Sequence, residues 1–342
     1  MAYSSTSYPT KWRSGKSKVV RIPEKYESQL MTLAHRLDES GAFELHEDSE
    51  TLVFEFYKPS NIKYNLSRPI NVASVPQRSP FRYPGGKTWL IPHIRSWLRN
   101  YKKVPSRLIE PFAGGAIVSL TAAFEGLARH VIFAELDSGV AAVWRVVLNG
   151  QAEWLANEIK HFDLTVEKAR MVLGQPAETL REKAFQTILR NRVQRGGIMA
   201  PGAGLVKTGE NGRGVNSRWY PDTLASRIRE INKFKEHLTF VEGDAFALIE
   251  EHAQDKESVF YIDPPYTVAA KRLYSQWQVN HRQLFELLSK CKGDFLMSYD
   301  NTEEIAELAK EFEFNTRSVA MKNTHHAKMT ELLIGRNLDW VD

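Results

Sequence analysis

The sequence predicts an α/β fold, a doubly wound sheet into which a mainly helical segment is inserted. Three observations carry that expectation. A short apolar strand at Arg107–Ile109 runs into a glycine-bearing turn at 113–115 and then a helix at Ile117–Gly126. A second strand, His130–Ala134, ends in an acid, Glu135, and leads to a helix over 139–149. Strand and helix alternate again after residue 235, where a long stretch of helical pattern stops.

The elements follow in order. Residues 1–17 are polar and predict disorder. Lys18–Ile22 reads as a short strand, and Pro23 suits the first turn of a helix reaching about Asp38, with Tyr26, Leu30, Leu33, Ala34 and Leu37 on one face. Lys18–Pro23 also looks somewhat like half of a ribbon-helix-helix DNA binder; a plain docking extension fits it equally well. Thr51–Tyr57 alternates as a strand, and 58–80 is a Pro/Ser/Asn-rich linker, which sets a boundary near residue 77. An amphipathic helix at Trp89–Tyr101 precedes the first strand of the sheet. From 151 to 235 the pattern is helical, broken by seven glycines between 196 and 214, an irregular stretch long enough to suggest function. Strands then recur at Leu238–Val241, Val259–Ile262, Asp294–Ser298, 315–320 and 330–335, with helices at 281–290 and 302–311. The expected units are an N-terminal extension (1–76), two halves of one α/β domain (77–150 and 236–342) and the insert (151–235).

Composition narrows the class. With 342 residues, 42% hydrophobic and 25% charged, the chain has the make-up of a water-soluble protein. It has no run of 18 apolar residues and no signal-peptide pattern, which points to the cytoplasm. A single cysteine, Cys291, excludes an intramolecular disulfide and a cysteine-based zinc site. The net charge is +5, and the basic residues cluster. Residues 11–25 carry six Lys or Arg against Glu24, and 190–218 hold Arg190, Arg192, Arg195, Lys207, Arg213 and Arg218 against Glu210. Unopposed base of this kind attracts polyanions, although any one cluster also fits a solvated face.

Four motifs carry the chemistry. Tyr261-Ile262-Asp263-Pro264-Pro265-Tyr266 ends a strand in a carboxylate, a rigid turn and an aromatic ring. Asp263 can accept a hydrogen bond from an exocyclic amine, the Pro264 carbonyl is outside any ladder, and Tyr266 offers a stacking face. An ordinary Asp-Pro turn is the competing reading of that motif alone. Phe81-Arg82-Tyr83-Pro84-Gly85-Gly86-Lys87-Thr88 superficially suggests a P-loop, but Phe81 stands where that motif needs glycine; what remains is a bend carrying a lysine that could meet a carboxylate. Glu110-Pro111-Phe112-Ala113-Gly114-Gly115 lets a ligand approach a helix N-terminus, yet it lacks the G-x-G-x-x-G of pyrophosphate-bearing cofactors. Glu135 stands where an acid suits ribose hydroxyls. His325-His326 invites a metal reading, but without cysteine or a spaced carboxylate it reads as a polar loop, and no metal is expected.

Taken in this order, the motifs make residues 79–342 resemble the Dam-like, alpha-class DNA (adenine-N6) methyltransferases. Asn191-Arg192, Gly243-Asp244-Ala245-Phe246 and Met297-Ser298-Tyr299-Asp300-Asn301 add to the similarity. The resemblance implies a Rossmann-like methyltransferase sheet, a target-recognition insert and S-adenosylmethionine as methyl donor. It places Tyr83 and Lys87 at the methionine end of the cofactor, with Phe112, Ala113 and Gly115 lining it. Glu135 would take its ribose, and Asp244, Ala245 and Phe246 would border its adenine. Asp263, also beside the cofactor, would be catalytic together with Pro264 and Tyr266. It further implies a site-specific enzyme on double-stranded DNA, close to the nucleoid, flipping its target base, as in restriction–modification systems. Arg190, Asn191, Arg192, Arg195, Arg213 and Arg218 are then the expected DNA contacts.

The chain departs from the family after Asn191-Arg192. The usual aromatic is absent and Arg195 falls nearest its place, so the resemblance stops short of the usual GATC target. N4-cytosine methylation uses the same amine chemistry but typically prefers Ser before Pro-Pro. A cytosine-C5 enzyme needs a nucleophilic thiolate, usually after proline, and Cys291 lies in Lys-Cys-Lys-Gly. An RNA or protein methyltransferase would leave the basic insert unexplained, and a non-catalytic DNA-binding relative would not need Asp263 and Lys87.

Overall fold

The computed structural model describes residues 75–82, 86–199, 203–265, 279–322 and 328–341. The expected elements before residue 75 (the strand Lys18–Ile22, the helix to Asp38, the strand Thr51–Tyr57 and most of the 58–80 linker) lie outside the described residues, as do Tyr83, Tyr266 and His325-His326.

Seven strands form one sheet: β1 (Arg107–Glu110), β2 (His130–Glu135), β3 (Leu238–Glu242), β4 (Ser258–Ile262), β5 (Asp294–Asp300), β6 (Asn315–Lys322) and β7 (Lys328–Gly335). Their spatial order is β3-β2-β1-β4-β5-β7-β6. The pairs among β1 to β5 are parallel, and β7 runs antiparallel between β5 and β6. This is the doubly wound sheet expected. It is covered on both faces, as the two-residue period of each strand shows. Leu108, Val131, Phe133, Val259, Tyr261, Leu296 and Leu333 join one buried cluster, while Ile109, Ile132, Ala134, Phe260, Ile262, Met297 and Ile334 join the other. Every residue of β4 is buried, as a central parallel strand requires.

The helices, in chain order, are α1 (Ile91–Arg99), α2 (Ile117–Phe124), α3 (Ser138–Leu148), α4 (Ala152–His161), α5 (Val166–Gly174), α6 (Leu180–Val193), α7 (Pro221–Lys233), α8 (Ala245–His252), α9 (His281–Lys290) and α10 (Glu303–Glu311). The α1 segment begins later than expected because Pro92 occupies its first turn, and a 3₁₀ turn at Lys87–Leu90 precedes it. The helix α8 was missed by the sequence pattern; Asp244 starts it by accepting from the N–H groups of Phe246 and Ala247 at 2.9 and 3.1 Å. Helices α1 to α3 cover the first face, and α8 to α10 the second. The insert shares the first core: Leu155, Ile188, Leu224 and Ile228 are buried in one cluster with Val143 and Trp144.

Three insert side chains clamp the chain just before Lys87. Asn191 Oδ1 accepts from the N–H of Arg82 at 2.9 Å, and its Nδ2 donates to the carbonyls of Arg82 and Gly197, both at 3.0 Å. Arg192 donates to the Pro80 carbonyl, and Arg227 to that of Ser79 at 3.2 Å. This corrects the expectation for two residues. Asn191 and Arg192 are 0% and 3% exposed, so they grip backbone inside the protein instead of facing DNA. Gly197, at φ +74°, lies so close to Arg82 that a Cβ there would come within 2.5 Å of its carbonyl oxygen.

Replacing Asn191 with Ala leaves a buried N–H and two carbonyls short of partners, a cost of about 2–3 kcal/mol. Thermal unfolding of the full chain is expected to show a Tm lower by several degrees, with Gly197→Ala similarly destabilised. An Asn191→Ala Tm equal to that of the parent would show that the clamp adds nothing.

Candidate active site

In an open parallel sheet, ligands bind beyond the carboxyl ends of the strands where the strand order reverses. Here that point lies between β1 and β4, which are neighbours although distant in sequence. The glycine turn leaves β1 and Asp-Pro-Pro leaves β4, so the two motifs converge for a topological reason.

The turn is tight. Gly114 and Ala116 both have left-handed backbone, at φ 49° and 52°, and Ala116 is the capping residue of α2. No side chain caps that helix start. The Ala113 N–H donates to the Ala134 carbonyl at 3.0 Å, tying the turn to β2, and Trp144 Nε1 donates to the Gly114 carbonyl at 3.1 Å. An L-residue with a larger side chain than alanine would be strained at 116.

Beside the turn sits a buried polar cluster. Asp263 Oδ1 lies 2.9 Å from Lys87 Nζ and accepts from Ser298 Oγ at 3.0 Å. Ser298 in turn pairs with the Tyr261 hydroxyl at 2.8 Å. Glu331, on β7, approaches Lys87 Nζ at 3.8 Å. The Lys87 side chain is only 4% exposed. Burial alone would lower its pKa, but the carboxylates of Asp263 and Glu331 outweigh that and hold it above the ordinary lysine value. Glu110, at the end of β1, accepts from both the N–H (2.8 Å) and the hydroxyl of Ser119. Burial pushes its pKa up to about 8, despite those hydrogen bonds, and nearby Asp263 adds to the rise.

Glu135 ends β2 and accepts from the N–H groups of Leu136 and Asp137 at 2.8 and 2.9 Å. Its half-buried carboxyl has a pKa raised to about 7, first by burial and then by the Asp137 charge. Phe112 and Phe246 meet edge to face at 6.5 Å between the ends of β1 and β3, with Ala245 buried and Asp244 exposed beside them. Pro264 is buried next to Asp263.

The structure thus joins Lys87 and Asp263 directly. Sequence reasoning anticipated a carboxylate partner for the lysine but did not identify this one. It passed over Glu331, whose place depends on antiparallel pairing with Asp300, and gave no role to Glu110, Tyr261 or Ser298, although all three lie within quoted motifs. Cys291 is buried and its thiol pKa is pushed up to about 11, so it is no nucleophile. Among the expected DNA contacts, Arg195 and Arg218 line a cleft of ≈470 Å³ with Arg82 and Lys207, Arg213 lies over the Tyr220 ring at 5.7 Å, and Arg190 is half-buried. Among the described residues no group of three or more His, Cys, Asp or Glu could hold a metal ion, and no helix is long and apolar enough to cross a membrane.

Comparison with known proteins identifies a family. The sequence profile of the D12 class N6 adenine-specific DNA methyltransferases matches residues 83–170 and 210–323, more than half of the chain. The stretch 171–209, which holds Arg195 and Lys207, falls between the matched segments. No curated protein matches the sequence. Among solved structures, an rRNA methyltransferase from Streptomyces viridochromogenes is similar over 80% of this chain and 96% of that one, at 13% identity and a TM-score of 0.38. A SAM-dependent methyltransferase from Agrobacterium tumefaciens is similar over 72% of this chain and 61% of that one, at 9% identity and a TM-score of 0.34.

Glu110 supplies a test of the cluster's electrostatics. The folded chain favours its protonated form, so its stabilising contribution is complete below about pH 4.5 and is lost as pH rises through about 8. Glu110→Gln keeps an acceptor for Ser119 and cannot ionise. Its advantage in unfolding free energy over the parent, followed by denaturant titration, is expected to grow between those pH values and then level off at on the order of a few kcal/mol. A difference independent of pH would show that Glu110 does not titrate with folding.

Proposed function

The chain belongs to the D12 class N6 adenine-specific DNA methyltransferases and uses S-adenosylmethionine, and from that premise we propose that it methylates N6 of an adenine flipped out of duplex DNA at a specific sequence. The observation that carries the reading is the placement of Asp263, which leaves β4 at the switch point with its carboxylate held by Lys87 and Ser298.

The site suits the cofactor. One ammonium stands among the carboxyl groups of Asp263, Glu331 and Glu110, an environment fitted to a ligand that carries positive charge. The small residues Ala113 and Gly115 allow close approach at the turn, and Glu135 is poised for ribose hydroxyls. Phe112, Asp244, Ala245 and Phe246 would form the adenine side, and Tyr83 and Lys87 the methionine side. When bound, the cofactor supplies an electrophilic methyl group on a sulfonium.

The chain's own residues do the rest. The N6 lone pair of adenine is conjugated with the ring, so the amine is a poor nucleophile. Accepting hydrogen bonds from both N6–H groups, at the Asp263 carboxylate and the Pro264 carbonyl, would draw the lone pair out of conjugation with the ring. With the cofactor held there, N6 would gain its methyl carbon and leave the sulfur as a neutral thioether, and Asp263 would take the N6 proton that the new bond makes acidic. No covalent enzyme intermediate is needed, and positioning with electrostatics supplies the acceleration. Lys87 and Ser298 fix the carboxylate's orientation. Tyr266 would stack on the base, and the insert, through Arg190, Arg195, Arg213 and Arg218, would read the duplex. Work on chromosomal DNA would place the protein in the cytoplasm near the nucleoid.

Incubation with labelled cofactor and duplex DNA, followed by digestion to nucleosides, is expected to give labelled N6-methyldeoxyadenosine. Label in N4-methylcytosine, or in RNA alone, would overturn the reading. Asp263→Ala is expected to lower kcat by about 10²–10³-fold or more. Cofactor affinity, measured by calorimetry, is expected to weaken by up to about tenfold per unit as pH falls below about 7, because Glu135 must then lose a proton to accept the ribose hydroxyls. Glu135→Gln should flatten that dependence; an unchanged pH profile would remove Glu135 from the ribose site.

A further inference from the structure

The ≈470 Å³ cleft lies where the segment preceding Lys87 meets the glycine-bearing loop of the insert. Among the described residues its wall includes Arg82, Arg195, Lys207, Arg218 and Thr208, with no carboxylate and no aromatic ring. Four cations on one concave surface concentrate positive potential. Behind them lies the Arg192 guanidinium, 3% exposed, whose pKa is held down to about 9 by burial and by the charges of Arg227, Arg82 and Arg218, and whose Nε has no hydrogen-bond partner among the described residues.

The wall is packed backbone against backbone. A Cβ at Gly209, where φ is +63°, would come within 2.1 Å of Ser217 Oγ and 2.7 Å of the Gly214 carbonyl. The Gln194 and Leu205 backbones pair across the base of the loop. Cations mounted on so constrained a loop lose little freedom when a ligand binds.

The lining also selects the ligand. The described wall is made of cations, hydroxyls, glycine and valine, and offers no aromatic face on which a base could stack. Guanidinium forks and a lysine match the oxygens of a phosphodiester. Resting on the DNA-modifying function above, we propose that this cleft clasps backbone phosphates of the duplex, with Arg82 and Lys207 joining Arg195 and Arg218 as contacts. The clasp is bound to the catalytic site through one short segment. Arg82, which reaches the phosphate, is gripped on both backbone groups by Asn191 and lies five residues before Lys87, the partner of Asp263.

Phosphate contacts are read from the salt dependence of binding. Anisotropy of a labelled mixed-sequence DNA duplex, titrated with the full chain over a salt series, is expected to give a log Kd against log [salt] slope reduced by about 0.9 in Lys207→Ala and again in Arg195→Ala. The double variant is expected to lose about 1.8, while Lys207→Arg and Arg195→Lys keep the parent slope. Unchanged affinity for S-adenosylmethionine in each variant shows that the fold is kept. A parent that binds DNA with a slope its Ala variants retain overturns the clasp and leaves the proposed function standing. A parent without affinity for duplex DNA overturns the function itself. Weaker binding at unchanged slope would also overturn the clasp, since it would mean contacts to bases.

Discussion

A lysine buried to 4% exposure needs carboxylate partners, and meeting that need organises the candidate active site of this methyltransferase. Lys87 comes from the turn after Gly86, Asp263 from the end of β4 and Glu331 from the antiparallel strand β7. Each alone would be a costly buried charge. Together they pin three chain segments to one point beyond the carboxyl edge of the sheet. Ser298 and Tyr261 extend the network into the core, so the Asp263 carboxylate is held from two sides and has little freedom to reorient.

The sheet order places that point where open parallel sheets bind ligands. Because strands run outward from β1 in one direction and from β4 in the other, the turn after β1 and the turn after β4 face a common crevice. The antiparallel β7 then brings the beginning of a strand to an edge where the parallel strands bring their ends. Pairing with β5 sets Glu331 opposite Asp300, at the carboxyl edge instead of the far one. Glu110 completes the surroundings as a carboxyl group that burial keeps protonated near neutral pH.

The insert is integrated with this centre. It shares the first hydrophobic core, and Asn191, Arg192 and Arg227 hold residues 79–82 by their backbone. A displacement of α6 would therefore be felt at residues 80–82, the last of them five positions before Lys87.

Much of this was legible from residue order. The short apolar runs of β1, β2, β4 and β5, the glycine turn, the acid at 135 and Asp-Pro-Pro after an apolar strand point to a doubly wound sheet with a candidate site at its carboxyl edge, because each rests on local backbone geometry and spacing. Even the absence of a reactive thiol follows from one cysteine and its neighbours. Tertiary structure alone decided the rest. Asn191 and Arg192 share a polar, basic neighbourhood with Arg195, yet they turn inward, since the helix end at Val193 sets their side chains against residues 80–82. That Glu331 shares Lys87, and that Arg82 meets Lys207 across a cleft, depends on contacts between residues more than a hundred positions apart. Periodicity reports which face of an element is buried; it carries no information on which distant element completes that face, and at this site the distant partners set the charge.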